Sequence, residues 1–464
     1  MLFKIKILSL IIIINFIFFS LPISVMSFDY VINDFNFYPV PNVQRPQKGV
    51  TIQDPIFHTN ITRITNSPTE TPNSTTGNYA QPGYPKHDIE NADGTRLIIQ
   101  TYGGSGLAIY NANPPYNFIQ WIPSSLIGWG SGIDARWDRQ DPDILYYIYE
   151  KRIMKYRVST NKATILHDFR AEYPGEYANN PYCVVTMMEE GDPSDDSRYW
   201  AFILHCRDYN LPDPWGPNAY KGILVYDKDF YGKDNGKIVS TLKREDPKWR
   251  LGTFASMSPS GKYVWIGDHH YIYPRDFSSG PRDLGICCHA DMAISAEGRE
   301  VVFGFALKDG MWSKGYWASM VDIETGELTY LAGPIGRAEY HFSGNSHDKP
   351  GWGLVSIYGP SYPGVETQWY QHEAFMVELT KRKNPPPRVW RIVQTRTVLK
   401  SYPDASFAKL NKKGTKIFFG SAWGQSFKDP GGQYDVYQIN LPSTWYQDLM
   451  GNKPKDTTSP APPK

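Results

Sequence analysis

Short apolar runs recur along the chain, some alternating with polar residues and some unbroken, and Gly, Pro, Asn and Asp separate them. Few windows carry apolar residues at helical spacing over more than two turns. This pattern is typical of β-strands joined by tight turns. The strands it predicts cover residues 96–100, 144–149, 200–204, 222–226, 263–266, 300–305, 353–357, 374–379, 416–419 and 435–439.

One turn motif comes directly before four of these strands. A short polar residue starts it, a glycine follows three positions later, and a basic or polar residue opens the strand. This is the pattern of a tight hairpin in which glycine takes a positive φ. The four copies begin at Asn91, Ser258, Ser295 and Asn411, and a looser copy spans 191–203.

The spacing of these units, roughly 40–70 residues, is typical of four-stranded β-propeller blades that carry insertions. Seven blades would have about 62 residues each and six about 73, so we predict an all-β, seven-bladed propeller of four-stranded antiparallel blades. Six or eight blades are the alternatives. A tandem of β-sandwiches is the competing architecture, and hairpins repeated at blade spacing argue against it.

The N-terminal residues 1–27 have the features of a secretory signal peptide. Lys4 and Lys6 precede an apolar stretch at 7–19, and Val25 and Ser27 fit the positions before a cleavage site. A membrane anchor is the alternative, but this stretch of about 13 residues is shorter than the ~20 that a spanning helix needs. We therefore expect a secreted, extracellular protein that is not membrane-bound after cleavage.

The remainder of the chain is predicted to form a single propeller domain over residues 28–450. Residues 451–464 are polar and rich in proline, and we expect them to form a disordered tail.

Composition adds limits on the partner. Apolar residues make up 41% and charged residues 20%, which is enough for a core. Lys and Arg total 48 against 47 Asp and Glu, a net charge of +1 that argues against nucleic acid as the main ligand. Aromatic residues at 15% suit strands better than helices. We expect a monomer that binds a polysaccharide or other glycan.

Four cysteines would enter an oxidising compartment after export. Cys183 and Cys206 lie in neighbouring predicted strands and could form a disulfide, whereas adjacent Cys287 and Cys288 are poorly placed to bond each other. The alternative is that some of them are simply buried apolar residues. Asn60 and Asn73 begin sequons that would carry glycans in a eukaryotic source.

Several segments resemble a secreted propeller group that includes the ulvan lyases and, more distantly, the oligogalacturonate lyases. The resemblance covers about residues 50–441 and implies the propeller fold and polysaccharide lyase activity. The segments that carry it begin at Asp54 (DPIFHTNITRIT), Asn91 (NADGTRL), Trp137 (WDRQDPDILYY), His289 (HADMAISAEG), His347 (HDKPGWGLVS), Phe418 (FFGSAWG) and Tyr434 (YDVY).

Three histidines stand before inner strands of different predicted blades. His87 lies four residues before Asn91, His289 precedes the run 292–294, and His347 precedes the run 352–357. Propellers bind ligands at the mouth of the central channel, so we predict that the three imidazoles share one site.

The resemblance to ulvan lyases implies a β-elimination on uronic-acid glycans. His87 or His289 would act as the base, and Arg136 would neutralise the carboxylate. Histidine suits the base because its pKa lies near neutral pH. We also predict that His347, Trp352 and Tyr402 contact the substrate.

The resemblance to oligogalacturonate lyases implies instead a divalent metal, Mn²⁺ or Ca²⁺. Asp404 stands where such relatives carry histidine, so this sequence departs from their pattern. The ligand set that the resemblance implies is His289, His347, Gln371, His372 and Asp404.

A non-catalytic propeller that binds glycans or proteins in the extracellular space is the alternative function. Its contacts would come from aromatic-rich loops at 102–106, 213–218 and 368–372. A structural wall or matrix protein is a third possibility.

Overall fold

The structure is a computed structural model. It describes residues 28–67, 79–101, 106–122, 134–172, 179–206, 216–267, 270–307, 316–335, 339–359 and 368–451. The predicted signal peptide and the predicted tail after Gly451 lie outside the described residues. No helix in these ranges is long and apolar enough to cross a membrane.

Seven antiparallel sheets make up the fold, and in six of them the strands pair in chain order with their sequence neighbours. This confirms the prediction of a seven-bladed β-propeller with four-stranded blades. Blade 1 holds β3 (Ala80–Gln81), β4 (Arg96–Thr101), β5 (Leu107–Asn111) and β6 (Phe118–Ile122). Blade 2 holds β7 (Ala135–Trp137), β8 (Ile144–Tyr149), β9 (Arg152–Arg157) and β10 (Lys162–Asp168).

The next three blades repeat this arrangement. Blade 3 holds β11 (Cys183–Thr186), β12 (Tyr199–Cys206), β13 (Tyr220–Asp227) and β14 (Lys237–Lys243). Blade 4 holds β15 (Ala255–Met257), β16 (Tyr263–Ile266), β17 (Tyr271–Pro274) and β18 (Arg282–Asp283). Blade 5 holds β19 (Ile286–Ile294), β20 (Glu300–Ala306), β21 (Tyr316–Asp322) and β22 (Leu328–Ile335).

Blade 7 closes the ring with strands from both ends of the chain. Strand β2 (Asn60–Arg63) pairs with β29 (Asp435–Asn440), so that Asn60 lies opposite Asn440 and Arg63 opposite Tyr437, and β1 (Thr51–Gln53) extends the sheet. Blade 6 holds β23 (Glu339–Ser343), β24 (Trp352–Gly359), β25 (Glu373–Glu378) and β26 (Val389–Gln394). Blade 7 holds β27 (Lys409–Leu410), β28 (Lys416–Ser421), β29 (Asp435–Asn440), β2 (Asn60–Arg63) and β1 (Thr51–Gln53), and α1 (Trp445–Met450) follows it.

The turn motif forms the hairpins between the first and second strands of blades 1, 4, 5 and 7. In each copy the glycine N–H donates to the carbonyl of the first motif residue, over 2.8–2.9 Å. Glycine suits these positions because a left-handed φ strains most side chains. The values of φ are +77° at Gly94, +70° at Gly261, +75° at Gly298 and +58° at Gly414.

The hydrophobic core lies between neighbouring blades. Between blades 5 and 6, for example, Phe303 and Phe305 pack against Phe342, with ring centroids 4.8 and 4.9 Å apart. Between blades 6 and 7, Trp352 and Trp390 pack against Trp445 of α1. Each blade is therefore held by apolar contacts with both of its neighbours.

Cysteine pairing stabilises the blade edges. A disulfide joins Cys183 of β11 to Cys206 of β12, a pairing that the sequence allowed, and these residues face each other in the sheet. Cys287 is also disulfide-bonded. The alternative of merely buried apolar cysteines is therefore wrong for these three residues.

Candidate functional site at the channel mouth

The first strand of each blade lines the central channel, and all seven first strands run in the same direction. We call the face on which they begin the upper face. Because strands alternate in direction, the connections after second and fourth strands lie on the upper face. The hairpins after first strands lie on the opposite, lower face.

Residues 82–88, which follow β3 in blade 1, lie across this channel; we call them the channel segment. Blades 3 to 7 all contact it. Lys409 Nζ donates to the carbonyls of Pro82 (2.7 Å) and Tyr84, and Asn345 Nδ2 donates to the carbonyl of Pro85 (3.4 Å). Lys86 pairs with Glu190 (2.6 Å) and lies over the Phe254 ring (3.7 Å). His87 Nε2 contacts the Glu189 carbonyl (2.6 Å), and the Lys412 backbone N–H donates to Asp88 (2.9 Å).

Two histidines and two tyrosines meet near the upper end of the channel. The Tyr84 hydroxyl is 2.6 Å from Nδ1 of His289, and the Tyr402 hydroxyl is 3.1 Å from Nε2 of His341. The two imidazole centroids lie 5.0 Å apart, and Phe407 stacks on His341 at 4.9 Å. We call these five residues the upper cluster.

The chain positions these groups from three blades and one loop. His289 lies in β19 and His341 in β23, which are first strands, while Tyr402 lies in the upper-face connection from β26 to β27. Tyr402 is 48% exposed and His289 is half-buried, so a ligand at the mouth can reach both. His341 is fully buried beneath them.

Burial keeps the deeper imidazoles neutral. It lowers the pKa of His341 well below 6.5, and the nearby His289 lowers it further. Burial also lowers the pKa of His87 well below 6.5, and the charge of Arg136 adds to this. Both imidazoles are therefore uncharged at neutral pH, and pKa values this low make them weaker proton acceptors than an ordinary histidine.

Three cations lie among these histidines. Lys86 is paired with Glu190 and Arg136 with Asp192. Lys409 is fully buried, and among the described residues it has no carboxylate within ion-pair distance. Burial, and then the charge of Arg136, lowers its pKa to about 7. A buried ammonium without a counter-ion is unfavourable, so an anionic ligand at the channel mouth would stabilise it.

Two of the three predicted histidines lie beside the same tyrosine of the channel segment. The Tyr84 ring lies 6.3 Å from the rings of both His87 and His289. His347 lies in the hairpin after β23, on the lower face. Its Nδ1 is 2.8 Å from Asp195, which Lys412 also approaches at 3.7 Å.

Arg136 and Trp352 are engaged in structural contacts. Arg136 donates to Asp192 (2.6 Å) and to the carbonyls of Gly191 (2.6 Å) and Ala135 (2.9 Å), so its nitrogens hold the blade 3 hairpin. Trp352 is 1% exposed in the core between blades 6 and 7 and does not line the channel. These placements leave neither side chain open for a sugar carboxylate or ring.

The residues expected to bind a metal do not form a ligand set. His289 and His347 bond to Tyr84 and Asp195, and His372 Nδ1 bonds to the Thr397 carbonyl at 2.9 Å. Asp404 accepts hydrogen bonds from Ser426 Oγ and from the backbone of residues 400, 401 and 427, which occupies both its oxygens. Gln371 is buried, and no group of three or more His, Cys, Asp or Glu suited to a metal occurs among the described residues. The side chains present do not fit the predicted divalent metal.

Sequence reasoning missed four members of the site: Tyr84, His341, Phe407 and Lys409. Tyr84 is preceded by Pro82 and Gly83 and followed by Pro85, a composition that indicates an irregular segment. His341 and Lys409 lie inside short first strands, where neither has a distinctive motif.

Two solved structures of oligogalacturonate lyases share the fold. One is an oligogalacturonate lyase in complex with manganese, with a TM-score of 0.57 and 15% identity over 85% of this chain and 96% of that chain. The other, an oligogalacturonate lyase from Vibrio parahaemolyticus, has a TM-score of 0.56 and 11% identity over 90% and 99% of the two chains.

No protein-family model and no curated protein sequence matches the chain. At 11–15% identity the likeness to the two solved structures shows the fold alone. The predicted resemblance to oligogalacturonate lyases is therefore confirmed at the level of the propeller, and the resemblance to ulvan lyases stays a prediction.

Proposed function

We propose that the protein is a secreted lyase that cleaves uronic-acid polysaccharides by β-elimination at the upper mouth of the channel. The observation that carries the proposal is the upper cluster, in which imidazoles and phenol hydroxyls meet beside Lys409, an ammonium with no carboxylate partner among the described residues. The shared fold of two oligogalacturonate lyases supports it.

The groups needed for elimination are base, acid and positive charge. His289, half-buried and bonded to Tyr84, takes the C5 proton of the uronate. As the C4–O bond breaks and the C4=C5 double bond forms, the Tyr402 hydroxyl gives its proton to the leaving oxygen. Lys409 supplies the positive charge that favours a carboxylate nearby. None of these steps requires a metal.

The test measures the near-ultraviolet absorbance of the unsaturated product with a panel of uronate polysaccharides. We expect the wild-type protein to produce it without added metal, and His289→Ala and Tyr402→Phe to lose most of the rate. His58→Ala, at a partly exposed histidine in the turn between β1 and β2, is the control. A folded wild-type protein that releases no product from any uronate would refute the proposal.

A glycan-binding propeller without catalysis is the second candidate. The observation that favours it is that Arg136 and Asp404, which the sequence predicted to act on a substrate or a metal, are engaged in structural hydrogen bonds. Binding of acidic glycans that His289→Ala preserves, without product formation, would support this candidate over the lyase.

A further inference from the structure

A second cavity opens on the upper face between blades 6 and 7, outside the channel. Its volume is about 240 Å³. The walls are mainly apolar, from Val40, Pro41, Val43, Val398 and Trp423, and the polar lining residues are Asn42, His372, Arg396 and Thr397.

Arg396 is the one permanently charged side chain among the described lining residues, and its hydrogen bonding is incomplete. It is 4% exposed; Nη1 donates to the Gln394 carbonyl at 2.7 Å and lies 3.7 Å from Asp54. Nε and Nη2 are buried, and neither has a hydrogen-bond partner among the described residues. These two nitrogens form one edge of the guanidinium, the edge that binds both oxygens of a carboxylate in side-on pairs.

Backbone strain marks the same cavity. His372, Arg396 and Trp423 have φ values of +55°, +56° and +56°, although none of them is glycine. Left-handed backbone at bulky residues is unfavourable and concentrates at functional sites. Three such residues on the wall of one small cavity indicate that packing holds them there in a defined geometry.

We propose that this cavity binds a small organic carboxylate with an apolar body. The carboxylate would pair with Nε and Nη2 of Arg396, and the body would pack against the valines and Pro41. Because the volume is below that of a usual drug-sized pocket, the ligand is about the size of a single ring. This site is separate from the upper cluster and does not depend on lyase activity.

Binding of benzoate, measured by calorimetry and by saturation-transfer NMR, tests the proposal. Benzyl alcohol has the same ring without the charge, and we expect it to bind at least about tenfold more weakly. Galacturonate carries the charge on a polar ring and should also bind more weakly than benzoate. Equal binding of benzoate and benzyl alcohol, or tighter binding of galacturonate, would overturn the proposal.

Variants locate the site. Arg396→Gln should weaken benzoate binding about tenfold. Arg396→Lys should recover only part of the lost affinity, because lysine lacks the paired N–H donors of the guanidinium. Asn42→Trp, at an exposed lining position, should block the cavity without touching the core, so the test stands even where Arg396 variants fold poorly. His289→Ala in the channel should leave benzoate binding unchanged. Undiminished binding by folded Arg396→Gln and Asn42→Trp would refute the site.

Discussion

Replacing Lys409 by methionine should remove a specific dependence of stability on pH. The side chain is fully buried, and its pKa falls from 10.5 to about 7, first through burial and then through the charge of Arg136. The unfolded chain keeps the usual value. Between these two pKa values the unfolded state therefore binds one more proton than the folded state, and stability rises with pH.

The size of the effect follows from the two pKa values. A full difference of one proton changes the free energy of unfolding by about 1.4 kcal/mol per pH unit. At pH 7 the folded lysine is half protonated, so the rise begins at half of this slope and approaches the full slope above pH 8. Between about pH 7 and about pH 9, Lys409 alone should raise the free energy of unfolding by about 2 kcal/mol.

Guanidinium unfolding of the wild type and of Lys409→Met at both pH values measures this difference. The variant also loses the hydrogen bonds to Pro82 and Tyr84, so its absolute stability changes, but its pH dependence should lack the rise of about 2 kcal/mol. Lys428→Met, at an exposed lysine, should keep the wild-type pH dependence. If Lys409→Met and the wild type gain the same stability between the two pH values, the reasoning about this buried ammonium is wrong.

Two further changes test other parts of the fold. Replacing Cys183 and Cys206 together by alanine opens a bridge that spans 23 residues and should lower the free energy of unfolding by about 3 kcal/mol, measured in denaturant; an unchanged midpoint would contradict this. For His347, burial acts to lower the pKa, but the charge of Asp195 outweighs burial and raises it above 6.5. The ion pair therefore stabilises the folded state fully below pH 6.5, and this stabilisation is lost as the pH rises through the folded pKa. His347→Ala should lower the free energy of unfolding more at about pH 6 than at about pH 9. An equal loss at the two pH values would contradict a stabilising ion pair.

The blade architecture was predictable because the second strand of each blade is a clear run of apolar residues. All seven of them were predicted from apolar runs, and four follow a glycine hairpin. Most of the first strands were not: β3 and β27 have two residues each and β7 has three. Strands this short show no periodicity, and they are the ones that line the channel.

The same contrast, between segments with and without a recognisable sequence pattern, explains which site residues could be predicted. His289 and Tyr402 were identified because each stands beside a recognisable segment. Tyr84, His341 and Lys409 meet only because the channel segment crosses between blades that are distant in sequence. Asp404 looked like a ligand in the sequence, but its carboxylate instead bonds its own turn and Ser426, a contact that spacing alone does not reveal.

The ring closure through β2 and β29 has a consequence for how the chain acquires its structure. Asn60 emerges early in synthesis, and Asn440, its partner, emerges about 380 residues later. Until then one edge of β2 presents unpaired backbone N–H and C=O groups, with which another strand can pair. Blades 1 to 6 are built from consecutive segments and can form as they are made, but the final blade assembles only when the two ends of the chain meet. The interval before the ring is completed is therefore the stage at which this protein is most exposed to strand pairing with another copy of itself.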